Sequence, residues 1–320
     1  MVMVLAWAIL ALLDIPDIPW SGYTADGSNA VVRVEPASPA DSAGLKSGDI
    51  IQRISGIALQ DSRSMAKLGR ANIGETRTLG IERDHETLIM DITFAARPSH
   101  AQWVSLARAL VGMCFFICFI PFLIRPHRAS AFLAIMGAGL GLALAGTPYL
   151  AVPWLRSVGS TLHSGLVLAG IVALLQFVLV FPATAPFLRE KKHRWRWLFL
   201  PAGLLWLLIA FRQLASPSAT NFLNLTTNTL TGLVVGVYLL FSLITLSRQY
   251  IRVPGAGRAA RGLSLLFWGA LAGLAPLIAG SVIQAIPASN ANPAADFLFL
   301  SLALIPLSWT AAVRRKDALR

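Results

Sequence analysis

The sequence predicts an all-α polytopic membrane bundle, about seven spans plus one N-terminal span, carrying an extracytoplasmic α+β domain. Three observations predict it. Hydrophobic residues make up 56% of the 320 and charged residues only 13%, far below the charge of an ordinary soluble domain. The charge is also unevenly spread: residues 21–97 hold nine Lys/Arg and ten Asp/Glu, whereas residues 98–320 hold eighteen Lys/Arg and three acids. Finally, the basic residues of the second region cap long apolar runs, which is how membrane topology is written. The formal charge of +12 therefore argues for a lipid bilayer and against nucleic acid, which would select a basic face on a soluble domain.

In chain order, the first element is MVMVLAWAILALL at 1–13, followed by Asp14 and Asp17. It is short for a span and lacks the basic start of a signal peptide. Residues 1–20 are expected as a short first span or signal anchor ending near Trp20; a missing upstream stretch would explain the oddity equally well. Next, AVVRVE (30–35) alternates, with Val32 and Val34 on one face and Arg33 on the other. In SPADSAG, Ser38 suits a helix cap, Pro39 the first turn and Gly44 the left-handed position after it. GDIIQRISG reads as a strand with Ile51 and Ile54 toward a core, and SRSMAKLGRANIG as a second short helix with Met65 and Leu68 inward. TRTLGIERDHETLIMDITF reads as two strands around a turn at Asp84–His85. A domain of about 75 residues can fold alone.

Seven apolar segments follow, roughly 103–124, 129–152, 160–184, 195–214, 228–247, 263–286 and 295–313, each of about the length that crosses a bilayer. Three alternate loops and the 314–320 tail hold fifteen Lys/Arg, and the remaining loops hold two, Arg156 and Arg212. That alternation places residues 21–97 outside the cytoplasm and the C-terminus inside.

The stretch VRVEPASPADSAGLKSGDIIQRISG (32–56) resembles the signature of a PDZ domain. The likeness extends over residues 24–96, and the element order resembles the bacterial, circularly permuted form. The resemblance implies an extended peptide added to a sheet edge beside a helix, its carboxylate held by a loop of backbone N–H groups. On this sequence it implies an edge at Val31–Glu35 (Val31, Val32, Arg33, Val34), a helix at about Arg63–Arg70 with Met65 and Leu68, and a carboxylate loop of Asp26, Gly27, Ser28, Asn29 and Ala30. That loop lacks the Gly-Leu-Gly-Phe type of sequence, so internal or intramolecular strand contacts stay open.

No catalytic set is expected, and no cofactor. An intramembrane metalloprotease needs His-Glu-x-x-His on a helix; the only His-Glu pair, His85–Glu86, sits in the external hairpin without the second His. A rhomboid-like serine site would want a membrane His; His163 is available, but Ser164 is adjacent rather than on the same helical face. Cys114 and Cys118 share a helical face and read as small apolar filler. For transport, Gln176 is the most central polar residue, Arg108 can snorkel outward, and NFLNLTTNTL (221–230) is a polar span entry, yet no ion path is marked. GAGLGLALAG (137–146) reads as close helix packing.

The arrangement also resembles the sensor half of bacterial quorum-sensing and competence histidine kinases; LLQFVLVFPATAPFLREKKHRW (174–195) is similar to a span ending in FP before a basic loop in that family. This resemblance implies a bacterial inner-membrane protein that binds an extracytoplasmic peptide or protein segment and signals to a separate histidine kinase or other cytoplasmic signalling protein. No Gly-rich ATP loop lies within the 320 residues, so a truncated sensor or a free-standing input subunit is expected. The alternatives are an envelope scaffold recruiting a protease or assembly factor, a small-molecule transporter and an intramembrane protease.

Overall fold

A computed structural model describes residues 2–26, 28–59, 64–65, 68–182, 194–212, 217–254, 257–258, 261–284 and 293–318. The chain opens with helix α1 (Val2–Leu13) and a single tight turn at Ile15–Asp17 before entering the α+β module. The apolar helix therefore ends at Leu13, and Trp20 already belongs to a strand. That strand, β1 (Pro19–Trp20), pairs antiparallel with β8 (Ala95–Ala96), Pro19 opposite Ala96 and Trp20 opposite Ala95. Entry and exit of the module thus run side by side as a narrow neck.

Inside the neck, β2 (Tyr23–Ala25) pairs with β3 (Val31–Val34), and four antiparallel strands lie in the order β5 (Ile57–Ala58), β4 (Ile50–Ile54), β6 (Thr76–Arg83), β7 (Glu86–Thr93). The register of β2 on β3 is Tyr23 to Val34, Thr24 to Arg33 and Ala25 to Val31, which leaves Val32 as the extra residue of a bulge. The bulge shifts the alternation expected from AVVRVE. Val31 is 2% exposed and joins the core, whereas Val32 is 61% exposed. The core itself is Val31, Ala40, Leu45, Ile51, Leu79, Ile81 and Ile92. Helix α2 (Pro39–Ser42) starts where expected: Ser38 Oγ accepts the Asp41 N–H at 3.1 Å, Pro39 opens the first turn and Gly44 follows at φ +83°. The β6–β7 hairpin turns at Asp84 and His85, both at positive φ (52° and 68°), the conformation a two-residue hairpin turn requires.

Beyond the neck the chain is helical: α3 (Ser99–Cys114), a tight 3-10 stretch (Phe115–Phe119), α4 (Ile120–Ile124), α5 (Arg128–Ala145), α6 (Pro153–Val180), α7 (Arg194–Trp197), α8 (Leu200–Arg212), α9 (Pro217–Arg252), α10 (Leu263–Gln284), a 3-10 stretch (Pro293–Ala303) and α11 (Leu304–Ala318). The tight winding at 115–119 precedes Pro121, which has no N–H to continue an α-helical ladder back to Ile117. Five described helical segments are long and apolar enough to cross a membrane: Ser99–Ile124, Arg128–Ala145, Pro153–Val180, Thr226–Arg252 and Phe297–Arg315. Val2–Leu13, Leu200–Arg212 and Leu263–Pro276 are apolar but shorter. The chain is a multi-pass membrane protein, with five of the expected seven-plus-one spans present at full length among the described residues.

Small residues set the spacing of the bundle. A Cβ on Gly139 of α5 would lie 2.5 Å from the Gly170 Cα of α6, and one on Gly141 would lie 2.8 Å from the Gly112 carbonyl oxygen of α3. The GAGLGLALAG stretch thus lets backbone meet backbone on two faces at once. Phe115, Leu133, Met136, Phe177, Leu266 and Trp309 fill the main core around it, and Gln176 of α6 is fully buried.

Candidate peptide-binding site

The open strand of the module is β2. The Gly22 carbonyl accepts the Glu35 N–H at 2.7 Å, so strand alternation turns the backbone N–H and C=O of Tyr23 and Ala25 away from β3. Among the described residues no strand pairs with that side. Tyr23 anchors β2 by packing its ring on the module core, and burial raises the pKa of its phenol; Thr24 and Ala25 are exposed. Gly22 sets the strand's entry angle. Its φ is +80°, and a Cβ there would fall 2.1 Å from the Ser38 Cβ.

Residues 31–34, expected as that open edge, are flanked instead. They carry β2 on one side, and on the other Val31 N–H donates to the Asp49 carbonyl (2.8 Å) while the Gly48 N–H donates to the Val31 carbonyl (2.8 Å). The bridge continues through Ala30 opposite Ile50 and the Ile51 N–H to the Asn29 carbonyl (3.0 Å). The edge moves one strand outward because the β2 sequence, three residues long, carries no periodicity to reveal it.

The loop expected to hold a carboxylate already contains one. Asp26 Oδ1 accepts the Ser28 N–H (2.8 Å), the Ser28 hydroxyl (2.7 Å) and the Ala30 N–H (3.0 Å). The Ser28 hydroxyl and the two amides hold the Asp26 carboxyl below its ordinary pKa. Asn29 sits in the left-handed region at φ +66°, and its N–H closes onto the Asp26 carbonyl (3.1 Å). The loop's donors at Ser28 and Ala30 therefore serve its own side chain. Gly27 lies outside the described residues. Beside the loop, a cavity of about 300 Å3 opens against β4 and β5, with Ser28, Asn29, Gln52 and Arg53 in its lining.

Of the second expected wall, Ser64, Met65 and Leu68 are helical and Met65 and Leu68 are half-buried; Arg63 lies outside the described residues. The turn is held from within the module. Gly69 N–H donates to the Met65 carbonyl (3.3 Å), and the Gly69 carbonyl accepts from Arg77 Nη1 (3.0 Å). Arg77 is 7% exposed and pairs with Glu75 at 2.7 Å. A second staple joins the hairpin to the α2 side. Arg83 reaches both Asp49 oxygens (2.6 and 2.7 Å) and the Gly44 carbonyl (2.8 Å). His85, the candidate zinc-motif histidine, is fully exposed at the hairpin tip, and no group of three or more His, Cys, Asp or Glu among the described residues is placed to hold a metal.

Comparison with known proteins places this module. Residues 22–94 match the family model of the PDZ domain. A probable periplasmic serine endoprotease, DegP-like, of Marinomonas sp. (strain MWYL1) is 31% identical over 103 residues, which is 31% of this chain and 22% of that protein. The chain thus spans about a fifth of the length of the curated relative it matches. A solved HtrA-type protease with a decapeptide is similar at 20% identity over 28% of this chain and 34% of that one, with a TM-score of 0.23. A PDZ domain is therefore present on a multi-span helical region. Neither the kinase-sensor resemblance nor the circularly permuted form gains support from these likenesses.

Proposed function

We propose that this chain is an envelope scaffold: its helices fix it in a bacterial cytoplasmic membrane, and its PDZ domain, on the extracytoplasmic side, captures an extended segment of a protease or assembly factor. Binding, not catalysis, is the proposed activity. The observation that carries the reading is the open edge of β2, with the Tyr23 and Ala25 backbone groups directed outward in a module of the PDZ family. A peptide strand added there satisfies those groups, and side chains alternating toward the Met65–Leu68 turn supply selectivity. The likeness to a periplasmic protease supports an envelope setting for this type of module. It favours recruitment over signalling to a kinase.

The test is capture of peptides from a random decapeptide pool by the full chain in lipid vesicles. Ala25→Pro removes one outward N–H at an exposed position and is expected to weaken capture at least ~10-fold, about the worth of one to two backbone hydrogen bonds. Equal capture by Ala25→Pro and the natural chain would sink the assignment of β2 as the docking edge.

A further inference from the structure

The residue that follows the groove turn is bound to the membrane bundle. Arg70 Nη1 pairs with Asp14 Oδ2 at 2.6 Å, just past the end of α1, and both side chains are about four-fifths buried (23% and 19% exposed). The Arg70 guanidinium lies 4.4 Å from the centre of the Tyr149 ring, in the connection between α5 and α6, and the Arg70 backbone N–H donates to the Tyr149 hydroxyl at 2.9 Å. Tyr149 in turn donates its own N–H to Asp14 Oδ2 (3.3 Å) and carries Arg156 of α6 over its ring at 4.9 Å. The Arg156 guanidinium is itself fastened to the Leu150 carbonyl (3.0 Å).

The other groove wall is rooted at the same level. Strand β2 starts two residues after the β1–β8 neck, and β8 runs into α3 through Arg97, whose Nη1 donates to Ser105 Oγ (2.8 Å) while its carbonyl accepts from Gln102 (3.0 Å). Exposed indoles mark the boundary there, Trp103 at the start of the second turn of α3 and Trp154 in the first turn of α6. Two fastenings, one at each wall, fix the module on the bundle and do not leave it on a free linker.

We infer that the module takes its peptide from a partner embedded in the same membrane, as an extended segment flanking that partner's own transmembrane helix. This rests on the reading of β2 as the docking edge. Confinement of both chains to one bilayer keeps such a segment within reach of a groove held at that surface, whereas a segment free in solution samples the whole volume. A segment of about ten residues spans roughly 33 Å when extended, enough to leave the bilayer and lie along a three-residue edge.

The experiment uses the full chain in lipid vesicles and one random decapeptide pool in two formats, free in solution and joined by a ten-residue flexible linker to a single apolar helix in the same bilayer. Expected is at least ten-fold better capture of the anchored format, with Tyr149→Ala and Asp14→Ala each removing most of that advantage while free-peptide capture stays within about two-fold. Equal capture of both formats by the natural chain would overturn the inference and leave the groove reading standing. Capture of neither format would overturn both. An anchored advantage that survives both bundle-side substitutions would also overturn it, because the node would then not hold the groove in place.

Discussion

Asp49 shows how a single side chain ties the module together. Its Oδ2 accepts the Lys46 N–H at 2.7 Å, closing the turn before β4, while both oxygens take the Arg83 fork from β6. The Arg83 hydrogen bond, more than the Lys46 amide, holds its carboxyl below the ordinary pKa. A carboxylate depressed in the folded state stabilises the fold above its unfolded pKa of about 3.9, and that contribution is lost as pH falls through the lower folded value. The module is accordingly expected to keep the full benefit above about pH 5 and to shed it on further acidification. Asp49→Asn is expected to cost about 1.5–3 kcal/mol at pH 7, the worth of a hydrogen bond to a charged group, and to flatten the acid side of the profile. Urea-dependent proteolysis of residues 21–97 in the reconstituted full chain reads both effects. At this scale the sequence was informative where chemistry is local, as in the Ser38 cap and the Asp84–His85 turn. It was silent on the Asp49–Arg83 pairing, because the partners are 34 positions apart and only the β4–β6 register brings them together.

Among the elements, α5 is the most constrained. Gly139 and Gly170 allow the α5 and α6 backbones to touch, and Gly112, Gly137 and Gly141 do the same toward α3 and the 3-10 stretch after it. Gly139→Leu is expected to force α5 and α6 apart and to destabilise the bundle by about 1–3 kcal/mol or more, since close packing leaves nowhere for the added atoms. The loss is measurable as a lower midpoint for thermal aggregation in detergent. GAGLGLALAG announced tight contact in the sequence, but its partner glycines were legible only once the helices were placed. The β elements give the converse lesson. AVVRVE has the right alternation for a strand, yet the bulge at Val32 breaks that alternation, burying Val31 and leaving Val32 exposed on a different face from Val34, and the short β2 hidden in WSGYTADG takes the edge position in place of the more visible strand. Periodicity identifies strands that are long; it does not say which strand lies outermost.

For the whole molecule, the structure places the Arg70–Asp14–Tyr149 contacts at the end of α5 reached by Gly146, so Arg128, at the start of that 18-residue helix, lies about 27 Å away at the opposite end. The module thus lies at one end of α5 and the basic residue Arg128 at the other. With Cys114 and Cys118 both replaced by Ala, Ser28→Cys is expected to react with a membrane-impermeant thiol reagent from the extracytoplasmic side of intact cells, and Arg314→Cys only after the membrane is opened. The reverse pattern would invert the topology. The neck has a consequence of a different kind. Paired across β1 and β8, the ends of the PDZ domain stand about 5 Å apart, so α1 and α3 meet the module as if it were a single bead threaded between them. Any compact domain whose own termini lie equally close could be grafted at Trp20 and Ala95 without asking the helices to move. The bundle is thereby a chassis, and the choice of what it displays can change by exchange of one cartridge, on the bench or over evolutionary time.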